Sequence, residues 1–460
     1  MQVRPVPGAR LGALLAAWRD RRLAVIFLLG MASGYPWVLI GSAMSAWLAE
    51  LGISRSAIGL IGGVTVMYAV NFLWAPVLDR FRPLWLGRLG KRRGWIVAMQ
   101  LGLLLATLAL SRAQPGDMLL GTGVILLAIA FLSATQDIAI DAYRVELIPR
   151  EDQARISYGS AMATSGWWTG YGLLGALPFW FVDKLPGGWN SAYLGLAAIW
   201  LAFIAAVIAL APQPESGRSM GSIETSTDLS TGRRIRQAVI EPLAEFFQRN
   251  GVRLALAILA FVLLFKIGEA FLGRMSIVFY KEVGFSNEEI GTYSKLLNWW
   301  VTVVFAVLGS LLNARFGIIR GLFIGGIAMA STNLMFSWLA VVGPEPWLLS
   351  LTVIVDGFTA ALGTVAFMAF ITFLSSHTFT ATQYALLASI GNLGRTTLAS
   401  GSGWAVDQLQ GNWALFFVLT AIAVVPGLLL LWRLGPLLRQ RYPDAFGPIT
   451  PRKSEPSGVG

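Results

Sequence analysis

Apolar residues form long runs along most of the chain, and shorter polar stretches separate these runs. A run of roughly 20 apolar residues is long enough to cross a lipid bilayer as a helix. The pattern predicts twelve such segments, which we number as spans 1 to 12 in chain order. They cover residues 23–48, 56–78, 95–110, 118–144, 157–181, 191–211, 253–280, 287–312, 321–342, 348–373, 383–405 and 413–434. The sequence therefore predicts an all-α membrane protein with multiple spans.

One long polar connection, residues 212–252, divides the chain after span 6. Its first part is rich in Pro, Ser and Gly, as flexible linkers are. Its second part, RRIRQAVIEPLAEFFQRN, places apolar and basic residues at helical spacing, which is typical of an interfacial helix. We therefore predict two six-helix bundles, residues 23–211 (the first half) and 253–434 (the second half), with an N-terminal segment at 1–22 and a tail at 435–460.

The two halves share a short repeat. LGIS at residues 51–54, followed by Ile58-Gly59, matches VGFS at residues 283–286, followed by Ile290-Gly291. Inverted or parallel repeats of this kind are typical of transporters whose two bundles move about a site near mid-membrane.

The basic residues are distributed unevenly between the two ends of the predicted spans. Of 35 Lys and Arg residues, 27 lie in segments on the side of both termini, and the other side has only Arg55, Arg112, Lys184 and Lys281. Cytoplasmic loops carry the excess of Lys and Arg, so both termini and the linker are predicted to be cytoplasmic. This topology accounts for the net charge of +11 without a nucleic-acid partner.

The composition excludes several classes of chemistry. The chain is 56% hydrophobic and 13% charged, with no cysteine and a single histidine, His377. Disulfides, thiolate metal sites and histidine-based catalytic centres are therefore not expected. The chain also lacks a phosphate-binding G-x-x-x-x-G-K-[ST] motif, so neither ATP nor a cofactor is predicted, and an ion gradient is the expected energy source.

Span 4 carries charged residues near one end, where lipid alone would disfavour them. Asp137, Asp141 and Arg144 lie within about 60° of one another on a helix, so they form one stripe. Charged residues inside spans usually face a polar interior and mark ion or substrate pathways. Two acids one turn apart repel, so we predict that Asp137 carries a proton while Asp141 stays ionised beside Arg144. The alternative is that Asp141 and Arg144 form a gate bridge and Asp137 only bonds to another helix.

Charged residues also occur inside predicted spans of the second half. Span 7 contains Lys266, Glu269 and Arg274, at spacings that direct all three toward one cavity. Lys266 and Arg274, with Lys295, Arg395 and Arg144, give five cations that suit a cargo with carboxylates or phosphates. Glu269 is a candidate for proton coupling beside Asp137 and Asp141. The alternative is that the charges are bridges between helices, with Lys266 and Glu269 neutralising each other. The role of Asp356 stays open.

Tryptophan is abundant, with 18 residues in the chain. Most of these indoles suit the interface belt or helix packing. Trp167 and Trp168 lie well inside span 5, and flat indoles stack on the apolar faces of sugar rings. We therefore predict that this pair contributes to a sugar platform.

The loop between spans 2 and 3 contains Leu78-Asp79-Arg80 and, after the insertion FRPLWLGRL, Gly90-Lys91-Arg92-Arg93-Gly94. It resembles the cytoplasmic loop motif of the major facilitator superfamily, in which acidic and basic residues help to latch the two halves. The resemblance implies gating roles for Asp79, Arg80, Arg92 and Arg93. The alternative is a basic loop that serves topology alone. The span count, the linker and the repeat favour the major facilitator fold.

A more specific resemblance covers most of the predicted membrane region. The segments that carry it are ASGYPWVLIGSAMSAWLAE (32–50), NFLWAPVLDRF (71–81), KRRGW (91–95), SATQDIAIDAYRVE (133–146) and ATQYALLASIGNLGR (381–395). Together they resemble the AmpG family of muropeptide permeases. The family motif residues correspond to Asp79, Arg80, Gln136, Asp137, Asp141, Tyr143, Arg144, Gln383 and Arg395, and the resemblance implies that Gln136 and Tyr143 belong to the substrate site.

The resemblance implies a proton-driven importer in the bacterial inner membrane. Its cargo would be anhydromuropeptides, amino-sugar peptides released by cell-wall turnover, and its partners would be lipid, protons and this small-molecule glycopeptide, with the chain acting as a monomer. Some longer family members have fourteen spans, whereas twelve are predicted here. The alternatives are a transporter of another large anion of the acyl-CoA type, a drug or solute export antiporter, a membrane-embedded enzyme using the same acids, and a sensor without net flux.

Overall fold

The computed structural model describes residues 20–83, 86–148, 153–213, 241–302, 304–305, 318–374, 387, 391–392 and 396–441. Every regular element in these ranges is helical. Within these ranges, eight helices are long and apolar enough to cross a membrane, and they coincide with spans 1, 3, 4, 6, 7, 9, 10 and 12. They are Arg21–Glu50, Lys91–Leu110, Leu119–Arg144, Gly188–Leu210, Val252–Val283, Ile318–Val342, Pro346–Met368 and Trp413–Arg441. Span 12 is thus helical beyond residue 434, where the apolar pattern ends.

The remaining predicted spans are interrupted or only partly described. Span 2 consists of Arg55–Val70, a 3₁₀ turn at Asn71–Leu73 and the helix Ala75–Arg80. Span 5 consists of Gln153–Trp168, a π-helical segment at Thr169–Leu173 and Leu174–Phe181. Span 8 begins with Asn287–Glu289 and continues as a π-helical segment at Ile290–Leu297. Span 11 includes the helix Ser402–Gln408.

The shared repeat adopts the same local structure in both halves. Gly52 and Gly284 both have a positive φ, which glycine tolerates because it has no Cβ. The residue after each glycine donates its N–H to the carbonyl five residues earlier, Ile53 to Leu48 and Phe285 to Tyr280. The Ser that follows caps the next helix, since Ser54 accepts from the Ala57 N–H and Ser286 accepts from the Glu289 N–H.

Four glycines bring spans 1 and 5 into backbone contact. A Cβ added to Gly30 would lie 2.4 Å from the Ala163 carbonyl oxygen, and one added to Gly166 would lie 2.1 Å from that of Phe27. Gly34 and Gly170 are equally close to the opposite backbone. Small residues permit this approach where membrane helices associate through packing. We call this contact the glycine seam.

Among the described residues, the buried core that the two halves share lies toward one end of the molecule. We call the end near Pro212 and Glu241–Asn250 the linker end, and the end with the turns at Gly52 and Gly284 the distal end. One buried cluster contains side chains of both halves, such as Trp47 with Phe279 and Phe285. Toward the linker end, two separate buried clusters occur, one in each half. The described residues therefore form a bundle closed at the distal end.

Candidate functional site

A cavity of about 290 Å³ lies in the first half among spans 1, 4 and 5. The polar stripe predicted on span 4 lines this cavity, because Asp137, Asp141 and Arg144 all contribute to its wall. The Ser33 hydroxyl on span 1 donates to Asp137 Oδ1 at 2.7 Å. Arg144 Nη2 lies 3.1 Å from Asp141 Oδ1, and the Asp141 side chain is 69% exposed. Asp137 is thus held deeper in the wall, while Asp141 and Arg144 pair nearer the open end.

Trp167 and Trp168 of span 5 also line the cavity. They belong to an aromatic cluster that includes Tyr171, whose ring stacks on Trp167 at 5.4 Å between centroids, and Trp37, which contacts Trp167 at 6.2 Å. The glycine seam positions this cluster, because Gly166 and Gly170 flank the two indoles. The predicted aromatic pair and the charged stripe therefore share one cavity, with the indoles on span 5 and the carboxylates on span 4.

Gln136 and Tyr143 do not line this cavity. Gln136 is fully buried and its side-chain amide donates to the Ala32 carbonyl at 2.9 Å, so it joins span 4 to span 1. The Tyr143 hydroxyl donates to the Pro212 carbonyl at 2.6 Å, at the start of the linker. A helix turns about 100° per residue. Gln136 and Asp137 therefore face different neighbours although they are adjacent in sequence.

Lys266 and Glu269 of span 7 form a polar group within the second half. Lys266 Nζ lies 3.0 Å from Glu269 Oε2 and donates to Thr364 Oγ1 at 2.6 Å. Asp356 of span 10 is an electrostatic neighbour of both Lys266 and Glu269. The structure thus contains the neutralising pair that the sequence left as an alternative, and it adds Asp356 as a second carboxylate near it.

Arg274 and Lys295 reach from the second half to the first. Arg274 Nη2 donates to Thr65 Oγ1 at 3.0 Å, and its guanidinium packs on Gly62 of span 2. Lys295 Nζ lies 4.1 Å from the centroid of the Tyr171 ring on span 5. The predicted cations are therefore not all gathered in one cavity. Arg395 lies outside the described residues.

The basic loop between spans 2 and 3 makes its described contacts within the first half. Arg92 Nε pairs with Glu146 Oε1 at 2.8 Å, and Arg93 donates to the Ile208 carbonyl at 2.9 Å. Asp79 and Arg80 end the helix Ala75–Arg80, and their side chains lie outside the described set. The gating role of these four residues stays a prediction.

A network of charged residues joins the halves at the distal end, and we call it the distal network. Arg55 of the first half forms a two-pronged pair with Glu282, with Nη2–Oε2 at 2.8 Å, and also contacts Asp407 Oδ1 at 3.2 Å. Nearby, Lys281 pairs with Glu50 at 2.7 Å, and Asn287 donates to Asp183 Oδ1 at 2.9 Å. The network was not predicted, because Arg55 and Lys281 count only as topology signals in the charge pattern and their partners are far away in the sequence.

The carboxylate of Asp407 shows how the distal network responds to pH. Burial opposes ionisation, but hydrogen bonds from Ser56 and the guanidinium of Arg55 outweigh it and hold the pKa of Asp407 below its ordinary value of 3.8. A lowered pKa means that the stabilisation is fully present above the unfolded value and is lost as the pH falls through the folded value. The distal network therefore stays intact at neutral pH.

We predict that Asp407→Asn destabilises the protein at neutral pH by about 1 kcal/mol, because it removes a charged hydrogen-bond acceptor from Ser56 and Arg55. The thermal unfolding midpoint in detergent should be lower than that of the wild type at pH 7. The two midpoints should converge as the pH falls below 3.8 and wild-type Asp407 becomes protonated. A difference that stays constant as the pH falls would contradict the assignment of the stabilisation to the Asp407 carboxylate.

No group of three or more His, Cys, Asp or Glu residues able to hold a metal ion occurs in the part of the chain that the structure describes. The described site consists instead of a cavity with two carboxylates, a guanidinium and two indoles in edge-to-face contact, set in a membrane-spanning helical bundle. Such a site suits the binding of a small polar molecule within the membrane.

The fold is shared with solved membrane transporters. A mutant of the nucleoside transporter NupG matches with a TM-score of 0.67 and 13% identity, over 90% of this chain and 99% of that chain. A D-xylose-proton symporter matches with a TM-score of 0.60 and 14% identity, over 88% of this chain and 97% of that chain. The chain shares the fold of these proteins, which confirms the predicted all-α major facilitator fold. Eight of the twelve predicted spans are long apolar helices among the described residues.

The sequence comparisons identify the family. Over 418 residues the chain is 33% identical to the anhydromuropeptide permease of Escherichia coli (strain K12), covering 91% of this chain and 80% of the relative. It is 31% identical to putative transporter AmpG 4 of Rickettsia conorii, covering 91% of this chain and 97% of the relative. No family model matches. The chain belongs to the AmpG family of muropeptide permeases, and the resemblance seen in the sequence is confirmed.

Proposed function

We propose that this protein imports anhydromuropeptides from the periplasm into the cytoplasm of a bacterium, and that protons moving in the same direction drive the import. The observation that carries the proposal is the shared cavity, which is lined by Asp137, by the indoles of Trp167 and Trp168 and by the Asp141–Arg144 pair. The indoles offer a surface for an amino sugar, and Arg144 offers a partner for a carboxylate of the peptide. The name of the Escherichia coli relative supports this cargo.

In this proposal the linker end faces the cytoplasm and the distal end faces the periplasm. The excess of Lys and Arg at the linker end supports that orientation in the inner membrane. The distal network and the buried cluster around Phe279 then close the periplasmic side, and the cavity is accessible from the cytoplasm. The protein works as a monomer and uses the proton gradient without a cofactor. Its mechanism is alternating access.

Asp137 and the Asp141–Arg144 pair have separate roles in this proposal. Asp137 takes up the proton, because it lies deepest in the cavity wall with Ser33 as its hydrogen-bond donor. Asp141 and Arg144 bridge at the cytoplasmic exit, where their pair must separate for cargo to pass. Glu269, paired with Lys266 in the second half, is a further proton-coupling candidate, and Arg274 and Lys295 are candidate cargo cations that now contact the first half.

Purified protein in liposomes provides the test. With an inward-directed proton gradient, labelled N-acetylglucosaminyl-anhydromuramyl tripeptide should accumulate in the lumen, and a protonophore should abolish the accumulation. Unlabelled muropeptides should compete, whereas free peptides and acyl-CoA should not. Uptake that equilibrates without accumulating would reject proton coupling. Competition by acyl-CoA alone would reject the muropeptide cargo in favour of another large anion.

A further inference from the structure

Lys295 is a buried cation whose described contact is an aromatic ring. The residue is 3% exposed, and among the described residues no carboxylate pairs with its ammonium group. Nζ lies 4.1 Å from the centroid of Tyr171, which belongs to the other half. A buried charge requires compensation, and the negative face of an aromatic ring attracts a cation most strongly where water is excluded. The contact therefore contributes to holding the halves together.

The Lys295–Tyr171 contact lies in a tightly packed seam between spans 5 and 8. Tyr171 is in the π-helical segment Thr169–Leu173, and Lys295 is in the π-helical segment Ile290–Leu297. A Cβ on Gly172 would lie 2.8 Å from Trp299 Cβ, so the backbones approach closely. Trp299 Nε1 also donates to Thr169 Oγ1 at 3.2 Å. Such π-helical segments occur frequently at functional sites.

The contact between spans 5 and 8 adjoins the cavity through the aromatic cluster. The Tyr171 ring stacks on Trp167 with an interplanar angle of 30°, and it meets Trp168 at 6.0 Å. Both indoles line the cavity that contains Asp137. The ring that holds Lys295 is therefore in direct contact with the surface on which a cargo would lie. Tyr171 thus contacts both the indoles that line the cavity and the ammonium group of Lys295.

We propose that Lys295 and Tyr171 form a latch between the halves and that an anionic group of the cargo, such as a carboxylate, releases it. A full negative charge attracts the ammonium group more strongly than the quadrupole of a ring does. When Lys295 turns to the anion, the seam between spans 5 and 8 loses a contact and the distal end opens more readily. The cargo-dependent step rests on the function proposed above, whereas the latch itself is a property of the protein alone.

The absence of native cysteine allows a direct measurement of distal opening. Asp117→Cys and Glu345→Cys place spin labels on exposed distal loops in opposite halves. Double electron–electron resonance then measures the distribution of distances between the two labels. We expect Tyr171→Leu and Lys295→Gln each to raise the ratio of long to short distances by about tenfold. Tyr171→Phe keeps the ring and is the matched control, which should stay within about twofold of the wild type.

The double variant Tyr171→Leu with Lys295→Gln tests whether both residues act through one contact. Its effect should equal that of either single variant, because the first substitution already breaks the latch. Two controls establish that a shift in the distances does not reflect misfolding. Each variant should elute from gel filtration as the wild type does, and Lys295→Arg, which retains the cation, should keep the wild-type distances. Fully additive effects, or a Tyr171→Phe variant that opens as far as Tyr171→Leu, would overturn the latch.

A second experiment adds N-acetylglucosaminyl-anhydromuramyl tripeptide to the spin-labelled protein. Tryptophan fluorescence measures the binding of the tripeptide independently of the distances. The ligand should increase the long-distance population of the wild type but leave that of Lys295→Gln unchanged. If the tripeptide binds without altering the distances, release of the latch by an anion is wrong. If it does not bind at all while the apo variants behave as expected, the proposed cargo is wrong and the latch stands.

Discussion

Asp137→Asn should reduce proton-driven accumulation of muropeptide by roughly two orders of magnitude, because an amide cannot take up and release a proton. The change retains the size of the side chain and an oxygen that accepts from Ser33. Exchange of labelled for unlabelled cargo, which needs no net proton movement, should stay within about threefold of the wild type. Paired accumulation and exchange assays in liposomes measure this separation.

Asp141→Asn is the matched control for the Asp137 experiment, since it neutralises the neighbouring acid one turn away. It breaks the pair with Arg144 at 3.1 Å, so the cytoplasmic exit should close less tightly while accumulation continues. If Asp141→Asn instead abolishes accumulation and Asp137→Asn leaves it intact, the two roles are reversed. Loss of exchange in both variants would indicate that the stripe binds cargo rather than protons.

Gly166→Ala should destabilise the protein strongly, by about 1 to 3 kcal/mol, because the added methyl overpacks the glycine seam. The new Cβ would lie 2.1 Å from the Phe27 carbonyl oxygen and 3.1 Å from Gly30 Cα, and backbone atoms cannot move aside as a flexible side chain can. Thermal unfolding in detergent, followed by tryptophan fluorescence, should show a clear decrease in the midpoint. Cargo binding should weaken as well, since the seam positions Trp167.

Gly123→Ala provides the comparison for Gly166→Ala. Gly123 lies in the span 4 helix, and a Cβ added there meets nothing within 4 Å. Alanine favours helix over glycine by up to about 1 kcal/mol, so this variant should be as stable as the wild type or more stable. Equal midpoints for the two variants would mean that spans 1 and 5 are less tightly packed than the structure indicates.

The sequence predicts the helical fold well because hydropathy depends on local composition. Each of the eight long apolar helices coincides with a predicted span. The irregular segments of spans 2, 5 and 8 are harder to predict, because each stays apolar where the helix changes its hydrogen-bond pattern. The Ser-capped turns after Gly52 and Gly284 were visible as a repeat, since the same local chemistry occurs twice.

The sequence predicts the parts of the site that lie on a single helix, but not the contacts between helices. The spacing of Asp137, Asp141 and Arg144 places them on one stripe, and the structure has all three in the cavity wall. Ser33 could not be assigned to Asp137 from sequence, because the contact depends on how spans 1 and 4 pack. Gln136 is next to Asp137 in the family motif, but its side chain donates a hydrogen bond to span 1 and does not line the cavity. This contact also depends on how spans 1 and 4 pack.

The π-helical segments at Thr169–Leu173 and Ile290–Leu297 have a consequence for how sequences in this family diverge. A π-helical turn accommodates one residue more than an α-helical turn. Deleting one residue there would restore α-helix and leave the residues beyond it nearly in their present orientation, whereas the same deletion in regular α-helix would rotate them by about 100°. Trp180 would then still reach Thr292, to which its indole N–H now donates at 3.1 Å. A relative that lacks one residue in span 5 is therefore expected to lack it within Thr169–Leu173.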